Sequence, residues 1–313
     1  MRAPEFWNRR QGASALLAPL GALYGASVAW KARHAAPYRA KARVICVGNL
    51  TVGGSGKTPV ALAIAERLAA KGRKIFFLTR GYGGSEPGPL QVASGDSAAR
   101  VGDEALLLSQ AGPAIVARDR AKGAVFAVAR GADTIVMDDG HQNFALAKDL
   151  SFVVVDGETG FGNGRMIPAG PLRESVRQGL KRADAVIVMG HGNPDLRGYR
   201  GPVLRARLVP QDDSLKGKRA FAFAGIGRPE KFLATVKAAG ATVMGAQFFA
   251  DHHPFRKDEI TGLKARAGDS VLVTTEKDFV RLAQKDRAGI AVLKVRVLFD
   301  DPAMLDGLLD RTA

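Results

Sequence analysis

The stretch from Val44 to Thr58, VICVGNLTVGGSGKT, constrains what this chain can fold into more than any other. An apolar strand runs into a glycine-rich turn. Lys57-Thr58 then opens a helix whose Val60, Ile64 and Leu68 recur at helical spacing before Gly72 stops it. Pro59 falls in the first turn, where its missing N–H costs least. Such a unit is a phosphate cradle: glycines let backbone N–H groups approach phosphate oxygens, and the helix N-terminus adds positive potential. In this reading Thr51, Val52, Gly53, Gly54, Ser55, Gly56, Lys57 and Thr58 bind a nucleoside triphosphate. Lys57 reaches the β- and γ-phosphates and the Thr58 hydroxyl holds Mg²⁺. The usual pattern, G-x-x-x-x-G-K-[ST], has glycine where this chain has Thr51.

At 313 residues the chain has room for about two domains, each with its own core. Its formal net charge of +16 suits a phosphorylated substrate, anionic lipid or nucleic acid, or reflects a general arginine habit. No basic tract is interleaved with aromatics and no zinc-finger spacing occurs, so nucleic acid is not an expected partner. The single cysteine, Cys46, lies in the apolar strand, which rules out an internal disulfide and fits a reducing compartment.

Residues 13–30, ASALLAPLGALYGASVAW, carry no charge and are flanked by Arg9, Arg10, Lys31 and Arg33. As a helix they would be about 27 Å long, near the hydrocarbon thickness of a bilayer. Pro19, Gly21 and Gly25 weaken a spanning helix, and the flanks lack the basic asymmetry of one. A signal peptide would export a nucleotide-binding loop away from cytosolic nucleotide. The expectation is a helix or helical hairpin resting on a membrane surface, with packing against the domain as the other reading.

Further strand-like runs follow at Lys74–Thr79, Ala114–Ala117, Thr134–Asp138, Phe152–Asp156 and Ala185–Met189, with helical stretches such as Glu104–Ala111 and Arg120–Arg130 between them. This alternation predicts an α/β fold, a mostly parallel P-loop NTPase-like sheet with helices on both faces. Ligands then bind at the carboxyl ends of strands, where the P-loop, Arg80 and Asp138 all fall. Val203–Val209 alternates apolar with basic, and the residues to Lys218 read as a linker. Beyond it comes a second α/β pattern, with strands at Ala220–Ala224, Ala241–Gly245, Val271–Thr274 and Ala291–Val295 and a helix near Pro229–Ala239. The predicted division is 1–42, a membrane-associated helical segment; 43–210, the P-loop domain; and 211–313, a smaller α/β domain, with a hinge near 203–218.

Several groups carry chemistry. Asp138 and Asp139 end an apolar strand, so one acid can serve Mg²⁺ and the other orient a neighbour. Arg80 opens a glycine-rich turn, Arg80-Gly81-Tyr82-Gly83-Gly84, and could bind phosphate bidentately. Asp103 and Glu104 open a helix, where its dipole alone accounts for acids. Asp251-His252-His253 holds two of the five histidines, the side chain suited to proton transfer near neutral pH. Thr274-Thr275-Glu276-Lys277-Asp278 is similar to a guanine-reading [NT]-K-x-D motif, but Glu276 separates Thr275 from Lys277, which favours ATP over GTP.

Taken together, these motifs resemble the tetraacyldisaccharide 4′-kinases of lipid A biosynthesis. The matching stretches are VGNLTVGGSGKTP from Val47, TRGYGG from Thr79, VGDEALLL from Val101, ARDR from Ala117, DDGHQN from Asp138 and GNGRMIPAGPLRE from Gly162. AGIGRPEKF from Ala224, FADHHPF from Phe249 and TTEKD from Thr274 complete the series over nearly the whole chain. Thr51 is normal at its position in that family. One departure stands out: the family usually reads D-D-G-[FL]-Q-H, whereas His141 and Asn143 occupy the variable and final positions here.

The resemblance implies transfer of the ATP γ-phosphate to the 4′-hydroxyl of a tetraacylated glucosamine disaccharide 1-phosphate, giving the 4′-phosphorylated lipid. It implies a larger P-loop domain, a smaller C-terminal domain, a strand-pair hinge, and an N-terminal helix docked on the cytoplasmic face of the bacterial inner membrane. It makes Asp103 the proton acceptor, supported by His252 or His253, with His252 ahead. Lys57, Thr58, Asp138 and Asp139 then serve phosphates and Mg²⁺, and Arg80, Tyr82, Arg120 and Arg173 are candidates for phosphate contacts. A competing class is a membrane-surface P-loop ATPase switch that recruits partners. It would explain the loop, Asp138 and the basic N-terminus, but not the arginine set or the combination of Asp103 with His252.

Overall fold

The computed structural model describes residues 4–8 and 11–311 of the chain; Arg9 and Arg10, read above as a basic flank, lie outside the described residues. Two helices open the fold, α1 (Ala13–Leu16) and α2 (Ala18–His34). Strand β1 (Arg43–Gly48) delivers the P-loop to α3 (Lys57–Ala70), after which come β2 (Ile75–Thr79), β3 (Leu90–Gln91), α4 (Ala98–Val101), α5 (Asp103–Ser109) and β4 (Ala114–Val116). Helix α6 (Arg120–Val128) precedes β5 (Thr134–Asp138) and β6 (Leu150–Asp156), and α7 (Val176–Lys181) precedes β7 (Ala185–Met189) and β8 (Val203–Pro210).

Among the described residues these strands build a nine-stranded sheet of order β13-β8-β7-β6-β1-β5-β2-β4-β3, whose last member, β13 (Val295–Phe299), comes from near the C-terminus. Pairing is parallel except at the two edges, where β3 runs against β4 and β13 against β8. Alternation in β1 assigns its side chains to two cores, because successive residues of a strand point to opposite faces. Ile45 and Val47 pack with Val60, Ala61, Ile64 and Leu68 of α3. Val44 and Cys46 pack on the other face with Ala124 and Ala127 of α6. A strand covered on both faces must read as a continuous apolar run, as this one does.

A second sheet follows, four-stranded and parallel, of order β10-β9-β11-β12. Its elements are β9 (Arg219–Ala224), α8 (Pro229–Ala238), β10 (Thr242–Phe248), α9 (Lys257–Ala267), β11 (Val271–Thr275), α10 (Glu276–Phe279) and β12 (Ile290–Leu293). Helix α8 covers one face through Phe232 and Val236, and α9 covers the other through Ile260 and Leu263. The single strand expected at Ala291–Val295 divides at Lys294: β12 stays in the small sheet and β13 crosses to the large one. Residues 295–310, grouped by sequence with the C-terminal unit, thus rejoin the large sheet, where α11 (Pro302–Asp310) packs Leu305, Leu308 and Leu309 against the α3 core.

Among the described residues no helix is long and apolar enough to cross a membrane. Helix α2 instead lies on the segment that follows β6. A Cβ at Gly21 would stand 2.8 Å from the Met166 carbonyl, so the helix approaches as closely as glycine permits. Ser14, Asn163 and Arg165 stitch this contact, with Ser14 Oγ donating to the Ala169 carbonyl at 2.8 Å and Asn163 Nδ2 to Ser14 Oγ at 2.8 Å.

Candidate active site

The P-loop sits at the carboxyl end of β1, between the ends of β5 and β6. Thr51 makes an antiparallel bridge with Leu172, and Val52 N–H donates to the Pro171 carbonyl at 2.8 Å. A bridge position takes extended backbone, which a β-branched residue favours, so threonine serves where the generic loop carries glycine. Gly56, by contrast, is left-handed at φ 87° and caps α3, which favours glycine. Lys57 and Thr58 are buried in the first turn of that helix, and Asn49 Nδ2 donates to Ser55 Oγ at 3.0 Å to fix the inner side of the loop.

The two acids at the end of β5 have opposite surroundings. Asp138 is fully buried; Thr58 Oγ1 donates to its Oδ2 at 2.8 Å, while Oδ1 is buried with no hydrogen-bond partner among the described residues. Burial, joined by Glu104 and opposed by Lys57, pushes its pKa up to about 7. An orphaned carboxylate oxygen beside a hydroxyl is a hard-oxygen donor set that fits Mg²⁺. Asp139 takes a left-handed backbone at φ 53°, with its N–H donating to the Val47 carbonyl at 2.9 Å. That conformation is one aspartate tolerates better than most residues. Its carboxylate lies 3.7 Å from Lys57 Nζ and accepts from Arg173 Nη1 at 2.7 Å. Burial opposes ionisation there, but Lys57 and Arg173 outweigh it and bring the pKa down to about 2.

Asp103 begins α5 and is buried. The preceding Gly102 packs on the turn after β2, where an added Cβ would meet the Tyr82 carbonyl at 2.6 Å. This close approach sets α5 at the carboxyl end of the sheet. Asp103 Oδ2 accepts from His252 Nδ1 at 3.0 Å across 149 residues of chain. It also accepts from Arg281 Nε at 2.7 Å, and Lys277 Nζ stands 3.9 Å away. Burial works against the charge, but the His252 hydrogen bond, Lys277 and Arg281 together hold the carboxyl well below the usual carboxylate range. His252 occupies a left-handed turn at φ 60° and its ring lies 5.4 Å from that of Tyr82. His253 turns elsewhere: it stacks on Phe249 at 4.7 Å and pairs with Glu259 at 2.9 Å. Of the two histidines the sequence left open, His252 is the one against Asp103.

Arg120 is buried at the start of α6, donates to the Ala117 carbonyl through Nη1, and has an Nε without a partner among the described residues. Burial lowers its pKa to about 10, partly offset by Asp139 and Asp138. Arg80 lies exposed at the end of β2, with Tyr82 exposed beyond it. Arg281, just after α10, was not expected from the sequence, and Lys277 of α10 was not expected in this cluster. Lys277 also pairs with Glu104 at 3.3 Å. The TTEKD motif had flagged Lys277, but for nucleotide bases.

The family model described as tetraacyldisaccharide-1-P 4′-kinase (LpxK) matches residues 13–313. The chain is 52% identical over 320 residues to the tetraacyldisaccharide 4′-kinase of Paramagnetospirillum magneticum, covering 99% of this chain and 98% of that one. It is 48% identical over 323 residues to the tetraacyldisaccharide 4′-kinase of Rhodospirillum rubrum, with the same coverage of 99% and 98%. Among solved structures, LpxK from Aquifex aeolicus, crystallised in complex with ATP, superposes with a TM-score of 0.78 at 24% identity, covering 96% of this chain and 99% of that one. That likeness establishes the α/β fold.

Proposed function

The chain belongs to the tetraacyldisaccharide-1-P 4′-kinase family, and on that premise we propose how its residues share the phosphorylation of a lipid A precursor. ATP is the donor and the 4′-hydroxyl of a tetraacylated glucosamine disaccharide 1-phosphate is the acceptor. The hydroxyl oxygen bonds to the γ-phosphorus, the bond from that phosphorus to the β–γ bridging oxygen breaks, and ADP leaves.

In this reading Lys57 moves from Asp139 to the β- and γ-phosphates, which the loop amides from Gly53 to Thr58 also hold. Thr58 and Asp138 hold Mg²⁺, with Asp139 supporting them, and the ion when bound neutralises charge on the phosphates. Asp103 takes the proton of the 4′-hydroxyl, oriented by His252 Nδ1. A low carboxylate pKa is tolerable because little proton transfer is needed until the loose transition state has passed. Arg80, Tyr82, Arg120 and Arg173 line the approach for phosphate groups of ATP or lipid. The second sheet supplies His252 to a P-loop unit on the first, so a hinge near 203–218 would close the site. The amphiphilic acceptor calls for work at a membrane, and the exposed leucines of α1 and α2 are the surface for the cytoplasmic face of the inner membrane.

The observation that carries this reading is the Asp103–His252 hydrogen bond, formed where Asp103 opens α5 at the carboxyl end of the sheet carrying the P-loop. A switch that only hydrolyses ATP has no need of a histidine-oriented acid for an acceptor hydroxyl. The test is product analysis with [γ-³²P]ATP and vesicles containing the acylated disaccharide 1-phosphate. Label is expected in the lipid; label found only in free phosphate would mark an ATPase switch instead.

A further inference from the structure

The TTEKD turn leads to a buried network whose last member is Arg281. Thr275 Oγ1 donates to Asp278 Oδ2 at 2.8 Å, and Gly225 N–H donates to the same oxygen at 3.1 Å. Asp278 is fully buried, and its Oδ1 accepts from Arg281 Nη1 at 2.8 Å. Arg281 Nη1 also donates to the Gly225 carbonyl at 2.8 Å, an oxygen that accepts from His252 N–H at 3.1 Å as well. The remaining edge of the guanidinium faces Asp103: Nε donates to Oδ2 at 2.7 Å, and Nη2 donates to the same atom.

We propose that Arg281 is a positioning residue for phosphoryl transfer, locked by Asp278 and Gly225 so that Asp103 and His252, carried by different sheets, meet in one geometry. The proposal rests on the kinase reading above. Arg281 is only 5% exposed and its donors are committed to Asp278, Gly225 and Asp103, so it has no fork to offer a substrate phosphate. Its work is indirect. It pins Asp103 Oδ2, while Oδ1 accepts from the Glu104 N–H at 2.9 Å. Because Oδ2 is an acceptor, the His252 nitrogen that faces it, Nδ1, is the one that carries a hydrogen, and Arg281 Nη2 stands 3.4 Å from that same nitrogen. Gly225 makes the arrangement indivisible, since one peptide carbonyl holds both the guanidinium and the histidine backbone.

The groups facing Asp103 are Arg281, Lys277 and His252, which favour its charge, and the neighbouring Glu104, which does not. Removing the Arg281 cation therefore raises the proton affinity of Asp103, and the acidic limb of activity moves to higher pH.

The experiment compares wild type, Arg281→Ala, Arg281→Lys and Asp278→Asn in the vesicle assay. In parallel, nitrogen NMR of histidine-labelled protein reads the His252 tautomer, assigned with His252→Ala. Arg281→Ala is expected to lose about 10²-fold in kcat, the scale of an ångström-level misplacement, with KM for ATP within about threefold. Its acidic limb should move up, and the His252 tautomer should change from that of wild type. Arg281→Lys and Asp278→Asn should fall between wild type and Arg281→Ala on every readout, and they carry the test if Arg281→Ala does not fold. The proposal is overturned if kcat stays within about threefold of wild type, or if kcat falls while the acidic limb and the His252 tautomer do not change. Should wild type label no lipid, the kinase reading fails; the tautomer comparison then decides the Arg281 geometry alone, and an unchanged tautomer overturns it.

Discussion

Arg173 reaches both oxygens of Asp139 from one guanidinium nitrogen, at 2.7 and 2.9 Å, while Lys57 waits 3.7 Å from the same carboxylate. Two cations share one anion, and the lysine is the looser of them. The P-loop segment is tied to the segment carrying Arg173 by the bridge from Thr51 to Leu172 and by Arg173 N–H donating to the Leu50 carbonyl at 2.8 Å. The arginine is therefore held where it can satisfy Asp139 and leave Lys57 free to leave.

That relation predicts the behaviour of Arg173→Ala. Without the guanidinium, the full charge of Asp139 falls on Lys57 and competes with the phosphates. ATP affinity should drop about tenfold, the equivalent of ~1.4 kcal/mol. Arg173→Lys should recover part of it, since the charge returns without the planar donor geometry. Equilibrium titration with a fluorescent ATP analogue measures this, and equal affinity in Arg173→Ala and wild type would contradict it.

His141, one of the two residues in the family departure, has a structural role. It is buried between Ser151 Oγ at 3.1 Å and the Gly179 carbonyl at 2.9 Å, and burial lowers its pKa from 6.5 to about 3. A folded value below the unfolded one means that stability is complete above about pH 6.5 and is lost as pH falls toward the folded value. At pH 5 the loss is about 2 kcal/mol, from ~1.5 units at ~1.4 kcal/mol each. His141→Leu restores an aliphatic residue but strands the Gly179 carbonyl, at a cost of about 1–3 kcal/mol near neutrality. The variant should be the less stable protein at pH 7.5 and should nearly match wild type at pH 5. Urea unfolding at both pH values checks this; parallel losses in the two proteins would refute it.

Asp156 ties the two sheets at a second point. It ends β6, and its Oδ2 lies 2.6 Å from Arg228 Nη1 and 2.7 Å from Lys231 Nζ, both at the start of α8. Burial opposes its charge, but the two cations and the Thr159 N–H hold its pKa below the usual carboxylate range. Its contribution is therefore present above about pH 4 and fades as pH falls through the lower folded value. Asp156→Asn should cost about 1–3 kcal/mol at neutral pH, because a buried charged acceptor is removed while its cations stay partly solvated. It should also speed proteolysis in the connection at 211–218. Wild-type melting and cleavage rates in the variant would argue against the tie.

What the sequence made legible was local. The P-loop is contiguous with its strand, and the acids directly end β5; a Gly-rich turn between an apolar run and a helical period has few other uses. Asp103 was opaque to local physics, since an acid in a first helical turn is already explained by the helix dipole. Its partner His252 lies 149 residues away, and the packing of Gly102 on the Tyr82 turn acts with the Arg281–Gly225 network to set them side by side. The family resemblance supplied that pair; it supplied nothing for Arg281, embedded in an ordinary Val280-Arg281-Leu282 step. The crossing at Lys294 was hidden for a similar reason: β12 and β13 are both apolar, and strand propensity does not say which sheet a strand joins.

The N-terminal helices present opposite surfaces, and the contrast sets the last prediction. One side is committed to the protein: a Cβ at Gly25 would stand 2.2 Å from Met166 Sδ. The other shows Leu16, Leu20, Leu23 and Trp30 at 82%, 53%, 69% and 63% exposure, an apolar strip that water disfavours and that no described residue covers. Lys31, Arg33 and His34 close the last turn of α2, a basic end of the kind that suits anionic headgroups. The triple change Leu16→Ser, Leu20→Ser, Leu23→Ser leaves the Gly21 and Gly25 contacts intact. If each leucine buries about half its side chain in lipid, the three contribute ~3 kcal/mol, so binding to anionic vesicles should weaken about 100-fold. ATP affinity should not change, because the strip faces away from the segment that carries Arg173. Cosedimentation with vesicles, read beside ATP titration, separates the outcomes. Full pelleting of the triple variant would place membrane attachment elsewhere, and a parallel loss of ATP binding would show that the substitutions had disturbed the fold rather than the docking surface.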